Sequence, residues 1–329
     1  MQKMKITIVH KSKIPAVLYG GTERVIWYLG KELTKMGHEV TYLVLPGSYC
    51  DFAKINFIDE NKALNSQIPE DTDVVHFNFP VKEEILKPNI TTIHGNSKAG
   101  DVFDKNTVFV SKNHAERHNS NSFVYNGLDW DDYKLDKISE EKKHFHFLAN
   151  AAWKVKNLKG AISVVKSANE NLAVLGGKRI NFKMGFRFTT SRKVKFYGMI
   201  GDLEKIKLIS QSKGLIFPVL WDEPFGLAII ESMFFGCPVF GTPYGSLPEL
   251  VKPEFGFLSS KKEDLSQAIK NYADYNSNHI SEYARDCFNA KVMATEYLKK
   301  YEKVIFGENL NTENPKYNIE KNKHDFILS

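Results

Sequence analysis

The stretch GLIFPVLWDEPFGLAIIESMFFGCPVFGT, residues 214–242, reads as strand, loop, helix and strand in immediate succession. GLIFPVL is short and continuously apolar, as a strand buried on both faces requires, and CPVFGT is a second such run. The helix between them, starting near Phe225 or Gly226, makes the segment a parallel strand–helix–strand unit. Two glutamates stand in it: Glu223 in the loop, and Glu231 among Ile229, Ile230 and Met233. A helix start leaves backbone N–H groups unpaired and carries partial positive charge, which suits a phosphate. Gly226 lets the backbone approach such an anion closely. Glu231 then lies about 8 Å further along at 1.5 Å per residue. The order acid, anion, acid fits a diphosphate joining a ribose to a sugar, with the ribose diol on Glu231 and sugar hydroxyls on Glu223. From spacing alone, two solvated surface glutamates are the commoner explanation.

The same alternation extends in both directions. KITIVH (5–10) reads as a first strand rather than a signal peptide, because its apolar run is too short. After the Gly20-Gly21 turn, TERVIWYLGKELTKMG has helical period, with Thr22 as N-cap and Gly37 just past the end. HEVTYLVL, DVVHF (73–77), ITTIH (90–94), TVFVS (107–111) and SFVYN (122–126) read as further strands. The charged segment DWDDYKLDKISEEKK (129–143) reads as a linker. A second alternating set begins at HFHFLAN (144–150), with KGAISVVKSAN and GDLEKIKLISQS as helices and LAVLGG and VKFYGMIG as strands. The expectation is α/β, two Rossmann-like domains in tandem: 1–137, 138–290, and 291–329 as a C-terminal helix packing back on the first domain plus a polar tail. That tail, NLNTENPKYNIEKNKHD, is expected to be extended or disordered.

Composition excludes several classes. The chain has 329 residues, 42% hydrophobic and 26% charged, as soluble globular proteins do. Without a long apolar run a membrane span is not expected. Three cysteines without a CxxC or Cys/His cluster point to a reducing compartment, the cytoplasm, and away from structural zinc. The net charge of +6 falls in the second half and forms no dense basic stripe with interleaved aromatics, so nucleic acid is not an expected partner. LAVLGGKR lacks GxGxxG, which removes support for a nicotinamide cofactor.

The pattern E-P-F-G-L-x-x-x-E, followed by Pro-Val and GSLPELV (245–251), resembles the donor-site signature of glycosyltransferase family four. YGGTERVIWYLGKELTKMGHEVTYLV, DVVHFN, TTIHGN, VFVSK, VYNGLD and FGFLSS (255–260) resemble the family's landmarks in order, so the resemblance covers nearly the whole chain. It implies the GT-B fold, two Rossmann-like domains facing across a cleft. It further implies a retaining, metal-independent glycosyltransferase that moves a sugar from a nucleotide-diphosphate sugar to a saccharide or lipid-linked acceptor, in surface polysaccharide or glycoconjugate assembly. No cofactor or metal is then needed. The protein would be cytoplasmic, with peripheral contact at the inner membrane face. By this resemblance Glu223 binds the transferred sugar, Glu231 the ribose, and the backbone of Phe225, Gly226 and Leu227 the diphosphate or sugar. Gly21 lies beneath the diphosphate, and His94, at the end of TTIH, faces the donor sugar. His76 packs the sheet on a plainer reading. The base would sit near the turn after FYGMIG. The family's diphosphate-clamping arginine and lysine align with Lys154 and Lys159 in WKVKNLKG, with Lys156 able to take either role. Lysine for arginine keeps the charge and loses the bidentate fork. DWDD (129–132) contains the D-x-D of the other major glycosyltransferase fold, but its place after VYNG makes it linker. Two rival readings are a non-catalytic glycosyltransferase-like binding subunit and a sugar-nucleotide epimerase of the same fold.

Overall fold

The computed structural model describes residues 3–16, 20–135, 141–182, 187–317 and 324–327. The chain divides into two compact units, Met1–Asp129 with Phe288–Lys321, and Trp130–Cys287 with Asn322–Ser329. The boundary expected at 137/138 lies outside the described residues.

The first unit contains β1 (Lys5–Val9), α1 (Gly21–Lys35), β2 (Glu39–Val44), β3 (Lys54–Phe57), β4 (Val74–Phe77), β5 (Asn89–Ile93), β6 (Thr107–Phe109) and the short α2 (Lys112–Glu116). Its six strands are parallel in the order β3-β2-β1-β4-β5-β6. The strand order reverses between β1 and β4, and ligands of open α/β sheets bind beyond the carboxyl ends of strands at such a point. The core strands are apolar because both faces are covered: Ile6, Ile8, Val9, Val74, Val75 and Phe77 are all buried. α1 is capped by Gly20 with no side-chain cap, so Thr22 is inside the helix rather than at its N-cap. Gly37 closes it with φ of 93°. SFVYN does not form a strand; Phe123 makes only an isolated bridge to Phe109.

The second unit contains β7 (His144–Leu148), α3 (Leu158–Ser167), β8 (Leu172–Leu175), a two-stranded ribbon of β9 (Ile180–Asn181) and β10 (Arg187–Phe188), β11 (Val194–Gly198), α4 (Asp202–Ser210), β12 (Ser212–Phe217), α5 (Leu227–Phe234), β13 (Val239–Gly241), α6 (Leu247–Leu250), β14 (Gly256–Leu258), α7 (Lys262–Ala268) and α8 (Ser277–Cys287). Its parallel sheet runs β11-β8-β7-β12-β13-β14, the same winding as the first, with the switch point between β7 and β12. DWDD stands where the chain passes from the first unit to the second, and Trp130–Tyr133 is a 3₁₀ turn, in which Trp130 stacks on Phe234 and Tyr133 is buried.

After α8 the chain returns to the first unit as α9 (Ala290–Ile305), which packs on α1, β4 and β5. Tyr297 and Tyr301 of α9 explain the buried His76. Its ring nitrogens bond the Tyr301 hydroxyl (2.8 Å) and Thr92 Oγ1 (2.7 Å), and burial pulls its pKa down to about 3. The described part of the polar segment that follows, up to Tyr317, is packed on the first unit. Asn311 Nδ2 donates to the carbonyls of Lys105 and Thr107, Asn314 Nδ2 to that of Phe103, and Lys316 bridges Val102. Asparagine side chains thus attach it together with the buried Tyr317, whose ring lies 4.9 Å from that of His118.

Candidate active site

The loop between β12 and α5 carries Glu223. Gly226 ends it in the left-handed region with φ of 88° and caps the eight-residue α5. The loop after β13 lies against it. Gly245, at φ of 64°, approaches so closely that an added Cβ would stand 2.2 Å from the Glu223 nitrogen. Ser246 N–H donates to the Glu223 carbonyl (2.9 Å), and Ser246 Oγ to the Phe225 carbonyl (2.7 Å). The GSLPELV stretch therefore begins as a brace for the Glu223 loop.

Glu223 is 5% exposed. Its Oε2 accepts from Lys156 Nζ (2.5 Å) and from Trp221 Nε1 (2.8 Å). The Lys156 ammonium also lies over the Trp221 ring, 4.6 Å from its centroid. Lys156 comes from the loop after β7, so the pair bridges the two strands that flank the switch point. Hydrogen bonds to backbone carbonyls join the loops: Leu220 N–H donates to that of Val155 (2.7 Å), and the Asn157 side-chain Nδ2 to that of Pro218 (2.9 Å). A buried carboxylate requires such a partner, because an uncompensated charge in this environment is costly.

Glu231 is held in the same way. It is 7% exposed, and its Oε1 accepts from Tyr133 hydroxyl (2.7 Å) and Lys205 Nζ (2.6 Å). Lys205 also reaches Asp202 Oδ1 at 3.1 Å. Neither glutamate is a solvated surface residue. Lys154 and Lys159 differ from Lys156: both are exposed, and among the described residues neither side chain makes a hydrogen bond or ion pair. Lys154 opens a 3₁₀ turn ahead of α3, and Lys159 is in the first turn of α3. Phe225 is buried, while Leu227 is the first, partly buried residue of α5.

In the first unit, Gly21 opens α1 and His94 follows β5, both near the carboxyl edge of the sheet. His94 Nε2–H donates to Asn78 Oδ1 (2.9 Å). The Asn78 amide is oriented by its Nδ2, which faces the carbonyls of Val9 and His76. Burial, helped by His10, lowers the His94 pKa to about 3. The ring is therefore neutral at neutral pH and presents Nδ1 as an acceptor. Glu23 of α1 lies 3.7 Å from His10 Nε2, and its carboxyl is drawn down to about 2, chiefly by that histidine.

Sequence reasoning missed Lys205, Tyr133, Trp221 and Asn78. Tyr133 lay in a segment read as linker, and Lys205 in an ordinary amphipathic helix; only DVVHFN, already singled out, pointed toward Asn78. Among the described residues no group of three or more His, Cys, Asp or Glu converges as a metal site would. No described helix is long and apolar enough to cross a membrane.

Residues 131–286 match the family model described as Glycosyl transferases group 1. No curated protein matches the chain. Among solved structures the chain is similar to AviGT4, a glycosyltransferase involved in avilamycin A biosynthesis, at 18% identity over 92% of this chain and 98% of that one, with a TM-score of 0.76. It is similar to sucrose-phosphate synthase from Thermosynechococcus elongatus at 15% identity over 93% and 100%, with a TM-score of 0.69. It is also similar to Anabaena HepE in complex with UDP-glucose, at 14% identity over 91% and 99%, with a TM-score of 0.64. At these identities the likeness shows the fold, two parallel six-stranded sheets of GT-B type.

Proposed function

We propose that the chain, whose residues 131–286 are a group 1 glycosyltransferase domain, transfers a sugar from a nucleotide-diphosphate donor bound in its second unit. The observation that carries this reading is the pair of buried acids on one strand–loop–helix unit, each held through one oxygen by a lysine. The other oxygen, Glu223 Oε1 or Glu231 Oε2, has no protein hydrogen bond among the described residues. Glu231 accepts from a ribose hydroxyl and Glu223 from a hydroxyl of the transferred sugar. The diphosphate lies between them at the start of α5, where Gly226 and Leu227 offer backbone N–H groups. Lys154 and Lys159, both unpaired, neutralise it. As the bond to the sugar breaks, negative charge grows on the departing diphosphate. Preorganised lysines and helix-start amides stabilise that charge more than they stabilise the bound donor, and this difference lowers the barrier.

In keeping with the resemblance to glycosyltransferase family four, the reaction proceeds with retention and without a metal, the leaving phosphate accepting the acceptor's proton. The neutral His94 ring takes part as an acceptor for a hydroxyl. The acceptor is a saccharide or a lipid-linked saccharide, and the protein works in the cytoplasm with peripheral access to the inner membrane face. HepE in complex with UDP-glucose supports a nucleotide-sugar donor, as does starch synthase IV from Arabidopsis thaliana bound to ADP and acarbose. A thermal-shift panel of UDP-, GDP- and ADP-sugars, followed by a donor-hydrolysis screen, tests the reading. Stabilisation and turnover by one nucleotide class support it. Absence of any shift favours a binding subunit, and conversion of the donor sugar to its epimer without acceptor favours an epimerase.

A further inference from the structure

We infer that residues 324–327 form a positioning clasp for the loop that carries Glu223; the inference rests on the donor site proposed above. His324 Nε2 stands 3.0 Å from Asp222 Oδ1, the carboxylate immediately before Glu223. The His324 ring stacks on Tyr244, with centroids 4.2 Å apart and planes inclined by 28°. Tyr244 hydroxyl donates to the Asp325 carbonyl (2.7 Å). Ile327 then exchanges backbone bonds with the segment after β14: its N–H donates to the Ser260 carbonyl (2.9 Å), and its carbonyl accepts from Lys262 N–H (3.0 Å). Asp222, Tyr244 and Ser260 belong to the loops that follow β12, β13 and β14. The C-terminal segment therefore ties together three consecutive loops at the carboxyl edge of the second sheet, the edge at which ligands bind.

The clasp reaches Glu223 from two directions. It holds Asp222 directly, and it holds Tyr244 two residues before the Ser246 N–H that bonds the Glu223 carbonyl. The His324 side chain is 11% exposed and that of Asp222 18%, so the contact is shielded. Among the described residues, none of these contacts involves Glu231, Lys205 or Tyr133. The clasp thus acts on the sugar end of the donor and leaves the ribose end alone. A loop that carries a sugar-contacting acid needs such support, since a displacement of about 1 Å costs up to about a hundredfold in rate.

The test compares wild type with a chain lacking residues 324–329, and with His324→Ala, His324→Gln and Tyr244→Phe. Removal of the segment is expected to lower kcat for transfer or donor hydrolysis about tenfold. Binding of UDP, GDP or ADP, whichever the wild type takes, should stay within about twofold. His324→Ala should follow the truncation, and His324→Gln, which keeps a donor to Asp222, should recover most of the rate. Unchanged kcat overturns the proposal. So does a higher kcat, which would make the segment an obstruction, and so does a parallel loss of nucleotide affinity and Tm, which would make it general scaffolding. Amide exchange across residues 219–226 gives a reading independent of activity: truncation should speed it, and unchanged exchange overturns the clasp. Failure of the donor reading is separate, because wild type itself would then bind no nucleotide.

Discussion

Lys156 Nζ lies 2.5 Å from Glu223 Oε2, and the two residues come from the loops that follow the adjacent strands β7 and β12. This pair joins the loops of the switch point and leaves one glutamate oxygen for a ligand. Lys156 is therefore a structural partner of the acid, and the exposed Lys154 and Lys159 are the cations that the proposed diphosphate would meet.

Removing one member of the pair strands the other. Lys156→Met should destabilise the protein by about 3 kcal/mol, as breaking a buried ion pair does. Glu223→Gln should cost less, because Trp221 retains an oxygen acceptor, yet should reduce transfer about a hundredfold. The double variant Glu223→Gln with Lys156→Met should regain stability without regaining activity. Chemical denaturation of the four proteins, read as a double-mutant cycle, measures the coupling; additive effects would mean that the pair is not energetically joined.

Lys154→Ala and Lys159→Ala should behave in the opposite way. Neither lysine side chain has a hydrogen-bond or ion-pair partner among the described residues, so Tm should hardly move. Nucleoside-diphosphate affinity should fall about three- to tenfold for each, with a weaker dependence on salt. Isothermal titration at two ionic strengths checks this, and unchanged affinity in both variants would remove the lysines from the diphosphate site.

Gly245→Ala places a Cβ 2.2 Å from the Glu223 nitrogen at a φ of 64°, where an L side chain is strained even in open space. The Glu223 loop must move, so transfer activity should drop sharply, with a stability loss of about 2 kcal/mol. A crystal structure of the variant with Glu223 undisplaced and activity intact would contradict the brace.

Acid should destabilise the fold through its buried histidines. Burial lowers His76 and His146 to about 3 from the ordinary 6.5, so between those values the unfolded chain binds more protons than the folded one. Stability therefore rises with pH across this window and is lost as pH falls below about 6.5. At pH 5 each histidine accounts for a loss on the order of 1–2 kcal/mol. His146 bonds Ser212 Oγ (2.7 Å) and Ser232 Oγ (2.8 Å), so His146→Gln keeps polar partners while removing the titration. Denaturation at pH 7 and pH 5 should show a smaller pH difference for that variant; an equal difference would place the acid sensitivity elsewhere.

The alternation of buried strands and helices was legible in the sequence because parallel strands covered on both faces leave continuous apolar runs. The edge strand β3 was not, since Lys54 and Phe57 are exposed and its pattern carries little apolar signal. SFVYN misled in the other direction, being rich in strand-forming residues without a full partner. Glu223 and Glu231 were legible as a pair because their spacing and the helix start lie in one segment. Their lysine partners were not: Lys156 is 67 residues from Glu223 and Lys205 26 residues from Glu231, and only the sheet winding brings them together. Lysine abundance hid them further, since 45 Lys and Arg residues offer many candidates and burial alone separates Lys156 from its exposed neighbours.

The central claim is that Glu231 reads the ribose of a nucleotide donor while Lys205 and Tyr133 hold it in place. Calorimetric titration of wild type and Glu231→Ala with the nucleoside diphosphate selected by the donor panel tests it most directly. The account predicts saturable binding by wild type and about tenfold or greater weakening in the variant. Equal affinity in the two proteins, with both folded, would contradict it.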